Sequence, residues 1–289
     1  TDRVPYDCAV VALLPDTTYD LETLRKSGDV VVNLISDIDR DGDTLPLAAD
    51  LSERLGRPVI NRPRLIRETG RDQIAARLSG IPGCRIPKTQ RFAAAALAES
   101  LTHLALPFLI RPTGDHGGEA FEKIDQIDTV ADFAARHPAS HYYVTEYVDF
   151  SGADGYFRKY RLIFVDGEIL PYHLAIDRQW KVHHFRTDMA NQEWMRQEEE
   201  VFLATPGRVF NPSRMEALKA IRSTIGLDYF GIDCAIDREG QLVVFEVNAT
   251  MLVHGEYGLF AYKQPYIERI KAAFGTMLAK VARASKAPV

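Results

Sequence analysis

Apolar positions in the first sixty residues fall into short unbroken runs, separated by stretches with helical periodicity. Cys8 to Leu14, Val30 to Ile35 and Pro58 to Asn61 read as buried strands, and Tyr19 to Lys26 as a helix closed by Gly28. Runs that are apolar on both faces suit a small parallel sheet covered by helices. Asp37 to Thr44 is acidic and contains Gly, so it reads as a loop. Its spacing does not fit a calcium loop, and the closing Glu is missing. Further along, Thr69 to Leu78 reads as a helix stopped by Gly80 and Pro82, and Ala-rich Arg91 to Leu104 as another. Asn211-Pro212 is a helix start and Gly226 a stop. Pro265 to Val281 is a closing helix with Ile267, Ile270, Phe274, Leu278 and Val281 on one stripe. A strand starts at Pro107 to Ile110, and His141 to Val148 is a second. Two hairpins follow: Lys159 to Ile176, turning at Asp166-Gly167, and Ile232 to Val247, turning over Asp237 to Gly240. Ala284 to Val289 is expected to fray.

Composition narrows the class. At 289 residues and 46% hydrophobic content, the chain can bury a core for about two or three packed subdomains. A net charge of −5 argues against coating nucleic acid, while 35 Lys and Arg leave room for a local basic pocket. No apolar run approaches the ~18 residues a membrane span needs, and Thr1 to Tyr6 lacks a signal-peptide core. Cys8, Cys84 and Cys234 are far apart, form no C-x-x-C pair and are expected to be buried, which fits a reduced, cytoplasmic protein. A first residue that is Thr and not Met fits a piece of a longer multidomain chain.

The second hairpin concentrates chemistry. Strand side chains alternate faces, so Glu246 and Asn248 point the same way. With a two-residue turn, Ile236 pairs with Gln241 and Asp233 with Val244, which sets Asp233 on the same face, one diagonal step from Glu246. Ile232, Cys234, Val243, Phe245 and Val247 then face the core. Two neighbouring carboxylates repel each other unless a cation sits between them, and magnesium takes oxygen ligands together with nucleotide phosphates. The same pattern also describes an amphipathic hairpin with one solvated face, which is the default for antiparallel pairs.

Asp233, Glu246 and Asn248 on this hairpin resemble the metal site of the ATP-grasp ligases, a superfamily that includes glutathione synthetase, D-alanine–D-alanine ligase and the ribosomal-protein glutamate ligases. Other stretches resemble the same family in the same order. Pro107 to Gly118, with Arg111, His116, Gly117 and Gly118, is similar to the strand and glycine-rich loop that close over the nucleotide. Arg111 stands where the family usually has Lys, and it keeps the positive charge. Tyr143 to Val148 resembles the hinge strand, where the backbone of Glu146, Tyr147 and Val148 would border adenine. By the same resemblance Asp154 would meet the ribose, and Lys159 and Arg161, on one face of the next strand, would reach phosphate or substrate. Asn61 to Asp72 is similar to the start of the ATP-grasp portion. Gln73 replaces the usual phosphate-binding Lys, and Arg71 is the candidate substitute. Ala249-Thr250-Met251 departs from the family's small residue and Pro, so the substrate-side loop has no counterpart.

The resemblance implies an α/β and α+β chain: an ATP-grasp fold of two α+β subdomains gripping ATP, preceded by a small Rossmann-like parallel α/β domain. The expected divisions are residues 1–66 for the N-terminal domain, 67–148 for the small subdomain with its linker helix, and 149–289 for the large subdomain with the metal-binding hairpin. It implies a ligase that uses ATP and one or two Mg2+ ions, with Mn2+ as a substitute, to phosphorylate a small-molecule or peptide carboxylate and join it to an amine. Asp233, Glu246 and Asn248 would hold the metal, with Arg111 and Arg161 in catalytic roles and no covalent nucleophile. Two other readings stay open: a nucleotide-binding regulatory module without ligase chemistry, and a phosphotransferase with a non-carboxylate acceptor. His173 and His183 are expected to line the substrate side near Trp180, while adjacent His183 and His184 point to opposite faces and are poorly placed to chelate together. Glu193 to Glu200 is expected to be a solvated helix or loop.

Overall fold

The structure, a computed structural model, describes residues 6–115, 118–183 and 186–285. Three sheets organise it. The largest has five strands in the order Cys84–Arg85, Leu242–Asn248, Tyr229–Ile236, Phe157–Val165, Glu168–Asp177, antiparallel except for the first pair. A four-stranded antiparallel sheet runs Thr89–Ala93, His141–Glu146, Phe108–Pro112, Glu122–Ile124. The third sheet is a parallel pair, Val31–Val32 with Val59–Ile60.

Local sequence accounts for much of this. Asp166 and Gly167 both take positive φ (45° and 95°), which a two-residue turn matching the strand twist requires. Asn211 accepts the Arg214 N–H with Pro212 in the first turn, and Gly226 ends the helix Pro212–Ile225 in the left-handed region. The closing helix Gln264–Ala284 packs Ile267, Ile270 and Met277 on the face of the large sheet that also carries Arg161 and Asp233, with Phe274, Leu278 and Val281 beside them. The opposite face of that sheet carries the main core, including Ile232, Cys234, Val244 and Val247, under helices Glu193–Ala204 and Pro212–Ile225.

Several expectations are corrected. Cys8 to Leu14 forms no strand, and Cys8, Val10 and Leu14 are exposed. The Leu14 N–H donates to the Tyr19 hydroxyl, which donates to the Ala12 carbonyl, so a local loop satisfies backbone that a sheet would otherwise pair. The N-terminal sheet therefore has two strands, not three. Asp37 to Thr44 is not all loop: Asp37 caps a short helix, Ile38–Asp41. A longer helix, Leu45–Leu55, follows and buries Leu45, Ala48 and Leu51. Arg91 to Leu104 begins as the strand Thr89–Ala93, because pairing with His141–Glu146 outweighs local helix propensity, which tertiary contacts readily override even where Ala is frequent; only short helical turns follow over 94–103. In the acidic helix Glu193–Ala204, Glu199 is fully buried and not solvated.

Asn61 ties the N-terminal segment to the large sheet. It sits at φ 57°, a conformation Asn tolerates, and is 2% exposed. Its Nδ2 donates to the Tyr229 and Ala249 carbonyls at 2.7 and 2.8 Å, and its Oδ1 accepts from the Asp228 and Tyr229 amides at 3.1 and 3.0 Å. The amide side chain thus uses its full capacity next to the residue that follows Asn248. Asn61→Ala is expected to cost about 3 kcal/mol in urea unfolding, since it strands buried backbone groups; a loss below about 0.5 kcal/mol, the usual surface range, would contradict that role.

Candidate active site

A cleft of about 960 Å³ opens between the four- and five-stranded sheets. That volume is at the upper end for small-molecule sites. One wall carries Leu109, Arg111 and Thr145 from the smaller sheet. The other carries Lys159, Arg161, Tyr172, His173, Asp233, Glu246 and Asn248 from the larger.

The register of the hairpin differs from the expected one. The turn is a three-residue loop in which the Asp237 N–H donates to the Gln241 carbonyl, the Asp237 carboxylate accepts the Gln241 N–H at 2.8 Å, and Gly240 takes φ 79°. Ile236 therefore pairs with Leu242 and Cys234 with Val244; a bulge between Asp233 and Cys234 then sets Asp233 directly opposite Glu246. The two carboxylates are cross-strand neighbours, closer than the diagonal relation expected. The bulge also redistributes the core residues. Leu242 and Val244 join Ile232, Cys234 and Val247, while Phe245 turns to the cluster of Phe150 and Ala235.

Both carboxylates are held by cations. Arg161 is the register partner of Asp233 on the next strand, and its Nε and Nη2 donate to the two carboxylate oxygens at 2.6 and 2.9 Å. Lys159 approaches the same group at 3.1 Å. Burial opposes ionisation of Asp233, but Lys159 and Arg161 override it and hold the carboxyl far below its usual range. Arg71, in the first turn of the helix Arg71–Leu78, donates to Glu246 at 2.9 Å. Burial and Asp233 oppose ionisation of Glu246, while Arg71, Arg111 and Lys159 favour it, and its net shift is downward. The Asn248 side-chain oxygen accepts the Thr250 N–H at 3.0 Å and lines the cleft.

Arg111 is 8% exposed. Its Nη2 donates to the Asp115 backbone carbonyl and, at 3.2 Å, to the Asp115 carboxylate; its Nε is buried without a hydrogen-bond partner among the described residues. Burial, with Arg71 nearby, pushes its pKa down to about 10. Its guanidinium lies 5.2 Å from the Phe121 ring, which packs edge-on against Trp180 at 5.4 Å; Tyr147 meets Trp180 at 6.1 Å. Lys181 donates to the Phe121 carbonyl at 2.7 Å, and Lys123 stands 4.7 Å from the Tyr147 ring. Gly118 lines the cleft near this aromatic group; His116 and Gly117 lie outside the described residues, as does His184.

The other expected site residues divide. Tyr147 and Val148 line the cleft beside Trp180. Glu146 also lines it, but its N–H donates to the Lys88 carbonyl and its carboxylate pairs with Arg85 at 2.8 Å. His173 and His183 line the cleft with Trp180, and burial lowers the His183 pKa. Asp154 is not brought to the cleft: it pairs with Arg158 at 2.7 Å on the surface. Cys84 is half-buried and Cys234 buried; the exposed Cys8 departs from expectation. The sequence reading missed Asp39 and Arg40 in the short acidic helix. Asp39 accepts the Tyr143 hydroxyl at 2.9 Å, and Arg40 donates to the Gly114 carbonyl at 3.0 Å, anchoring the start of the glycine-rich loop.

Among the described residues, no three His, Cys, Asp or Glu side chains gather as a ligand set. The candidate set is instead two carboxylates and an amide oxygen, all hard donors, and that chemistry fits magnesium bound jointly with phosphates.

No family model matches the chain, and no curated protein matches it. Solved structures do match in fold. The D-Ala:D-Ser ligase VanG from Enterococcus faecalis superposes with a TM-score of 0.54 at 16% identity, covering 88% of this chain and 73% of that one. An ADP complex of N5-carboxyaminoimidazole ribonucleotide synthetase gives 0.54 at 14% identity, covering 87% of this chain and 63% of that one. A RimK domain ATP-grasp protein from Sphaerobacter thermophilus gives 0.52 at 15% identity, covering 88% and 81%. The chain shares the fold of these three structures, the last of which is described as an ATP-grasp protein. Among the described residues, no helix is long and apolar enough to cross a membrane.

Proposed function

We propose that the protein is an ATP- and magnesium-dependent ligase that joins a carboxylate to an amine. The observation that carries this reading is the opposed pair Asp233–Glu246, with Asn248 alongside, ringed by Lys159, Arg161, Arg71 and Arg111 in a cleft between two sheets. Other chains with this fold are named as ligases and synthetases, one of them with ADP and one with ATP, which supports the reading.

A carboxylate resists nucleophilic attack because of its negative charge. Phosphorylation supplies a leaving group: a substrate carboxylate oxygen attacks the γ-phosphorus, ADP departs, the amine attacks the acyl carbon, and phosphate leaves. Little of this needs covalent help from the protein, so positioning and charge neutralisation dominate. Asp233, Glu246 and Asn248 would hold magnesium, which would neutralise phosphate oxygens there. Arg111, with an uncommitted Nε, and Arg71, at the edge of the same cleft, would contact the phosphates. Lys159 and Arg161 fix the carboxylate wall, and the aromatic group of Phe121, Tyr147 and Trp180 offers a stacking surface for the base.

Supplying a panel of amino acids and short peptides with ATP and Mg2+ is expected to stimulate ADP release, and hydroxylamine is expected to trap the activated carboxylate as a hydroxamate. ATP binding without stimulated turnover, or a stable phosphorylated product, would contradict the ligase reading.

A further inference from the structure

Building on the nucleotide reading above, we propose that Arg71 is an exchangeable plug on the metal cradle: it covers Glu246 in the free protein and transfers to the nucleotide's phosphates when the metal–nucleotide complex arrives. A divalent cation alone is thereby kept off the site.

The two carboxylates are covered in different ways. Arg161 lies directly across from Asp233 on the neighbouring strand and makes two bonds to it, with Lys159 as a third contact; Asp233 is 3% exposed. Three contacts from one adjacent strand make a fixed part of the wall. Arg71 comes from a separate element, follows Gly70, and makes one hydrogen bond to Glu246. Both side chains keep roughly a quarter of their surface open, at 24% and 29%, and both line the cleft. Arg71 also stands close enough to Arg111 for the two cations to repel. A single partly open bond beside a like charge is the one that can be exchanged.

The exchange keeps every charge paired. With Arg71 in place, an incoming cation must displace a partly buried guanidinium from its closest counter-charge and set two cations beside each other, which is costly. A triphosphate removes that cost, because its oxygens accept the released guanidinium in charge-assisted, bidentate bonds while the metal takes Glu246. By linkage, each ligand then strengthens the other by the same factor.

The test measures Mn2+ alone, by electron paramagnetic resonance of the free ion, and Mn2+–AMPPNP, by calorimetry, on the wild-type chain, Arg71→Met and Arg71→Lys. Circular dichroism melts establish that each variant is folded. Arg71→Met is expected to bind Mn2+ alone about tenfold more tightly than wild type and Mn2+–AMPPNP about tenfold more weakly, within the usual range of site coupling. Arg71→Lys keeps the plug's charge and is expected to stay near wild type for Mn2+. A residue that only contacts phosphate, or only supports the fold, does not tighten the metal. Folded Arg71→Met with unchanged or weaker Mn2+ affinity, while wild type still binds Mn2+–AMPPNP, overturns the exchange alone. Failure of wild type to bind Mn2+–AMPPNP takes down the nucleotide reading and the exchange with it.

Discussion

Glu246→Gln is expected to lower ATP turnover by roughly two to three orders of magnitude, the size seen when one preorganised charge-stabilising group is lost. The substitution keeps the side chain's shape and length and removes one negative charge. Glu246 sits directly across from Asp233; Asp233 has two cations on it, Arg161 and Lys159, whereas Glu246 has a single hydrogen bond from Arg71, so its loss removes the more accessible carboxylate of the pair. Its removal also strips Arg71 of its partner. The fold is expected to survive, because the hydrophobic clusters on both faces of the sheet do not use this side chain. Near-wild-type turnover of a folded Glu246→Gln protein would remove the residue from the metal cradle.

Lys263→Met is expected to cost about 3–5 kcal/mol of stability, the range for stranding one member of a buried ion pair. Lys263 and Glu199 are both fully buried. The ammonium lies 3.6 Å from Glu199 and 3.3 Å from Glu256. Glu199 also accepts the Leu174 N–H at 2.9 Å and the Tyr262 hydroxyl at 2.5 Å, so the network joins the helix Glu193–Ala204 to the strand that carries His173. Burial already raises the Glu199 pKa against the pull of Lys263, and loss of the ammonium raises it further. A carboxyl with a raised native pKa binds more protons folded than unfolded, so its stability contribution falls as pH rises through that interval. The Lys263→Met deficit is therefore expected to be larger at pH 8 than at pH 5. Urea unfolding at both values checks this, and a deficit independent of pH would assign the loss to packing.

How far the sequence shows these features depends on whether they are local. The hairpin Asp166-Gly167, the Asn211-Pro212 start and the Gly226 stop were legible because each rests on two or three adjacent residues with strong backbone preferences. The carboxylate hairpin was legible as alternation, but its register was not: Gly240 in the left-handed region lengthens the turn by one residue, and the bulge at Asp233 changes the parity again. Alternation carries no signal for two compensating shifts. The Asp37–Thr44 segment looked like a loop because acidic residues and Gly favour turns, yet the same Asp37 is a helix cap. Arg91 to Leu104 misled through its alanines, since strand pairing is decided by distant residues. The pairs Arg71–Glu246 and Lys263–Glu199 join elements 175 and 64 residues apart, and no local pattern announces either one.

The most direct measurement is an anomalous difference map from crystals grown with Mn2+ and AMPPNP. The expected result is a manganese peak within about 2–2.5 Å of oxygens from Asp233, Glu246 and Asn248, the range for hard divalent ions on oxygen ligands. Phosphates are expected against Arg111 and Arg71, and the base beside Trp180. A nucleotide bound elsewhere, or manganese held by the phosphates with no oxygen from the hairpin, would contradict the ligase reading of this site.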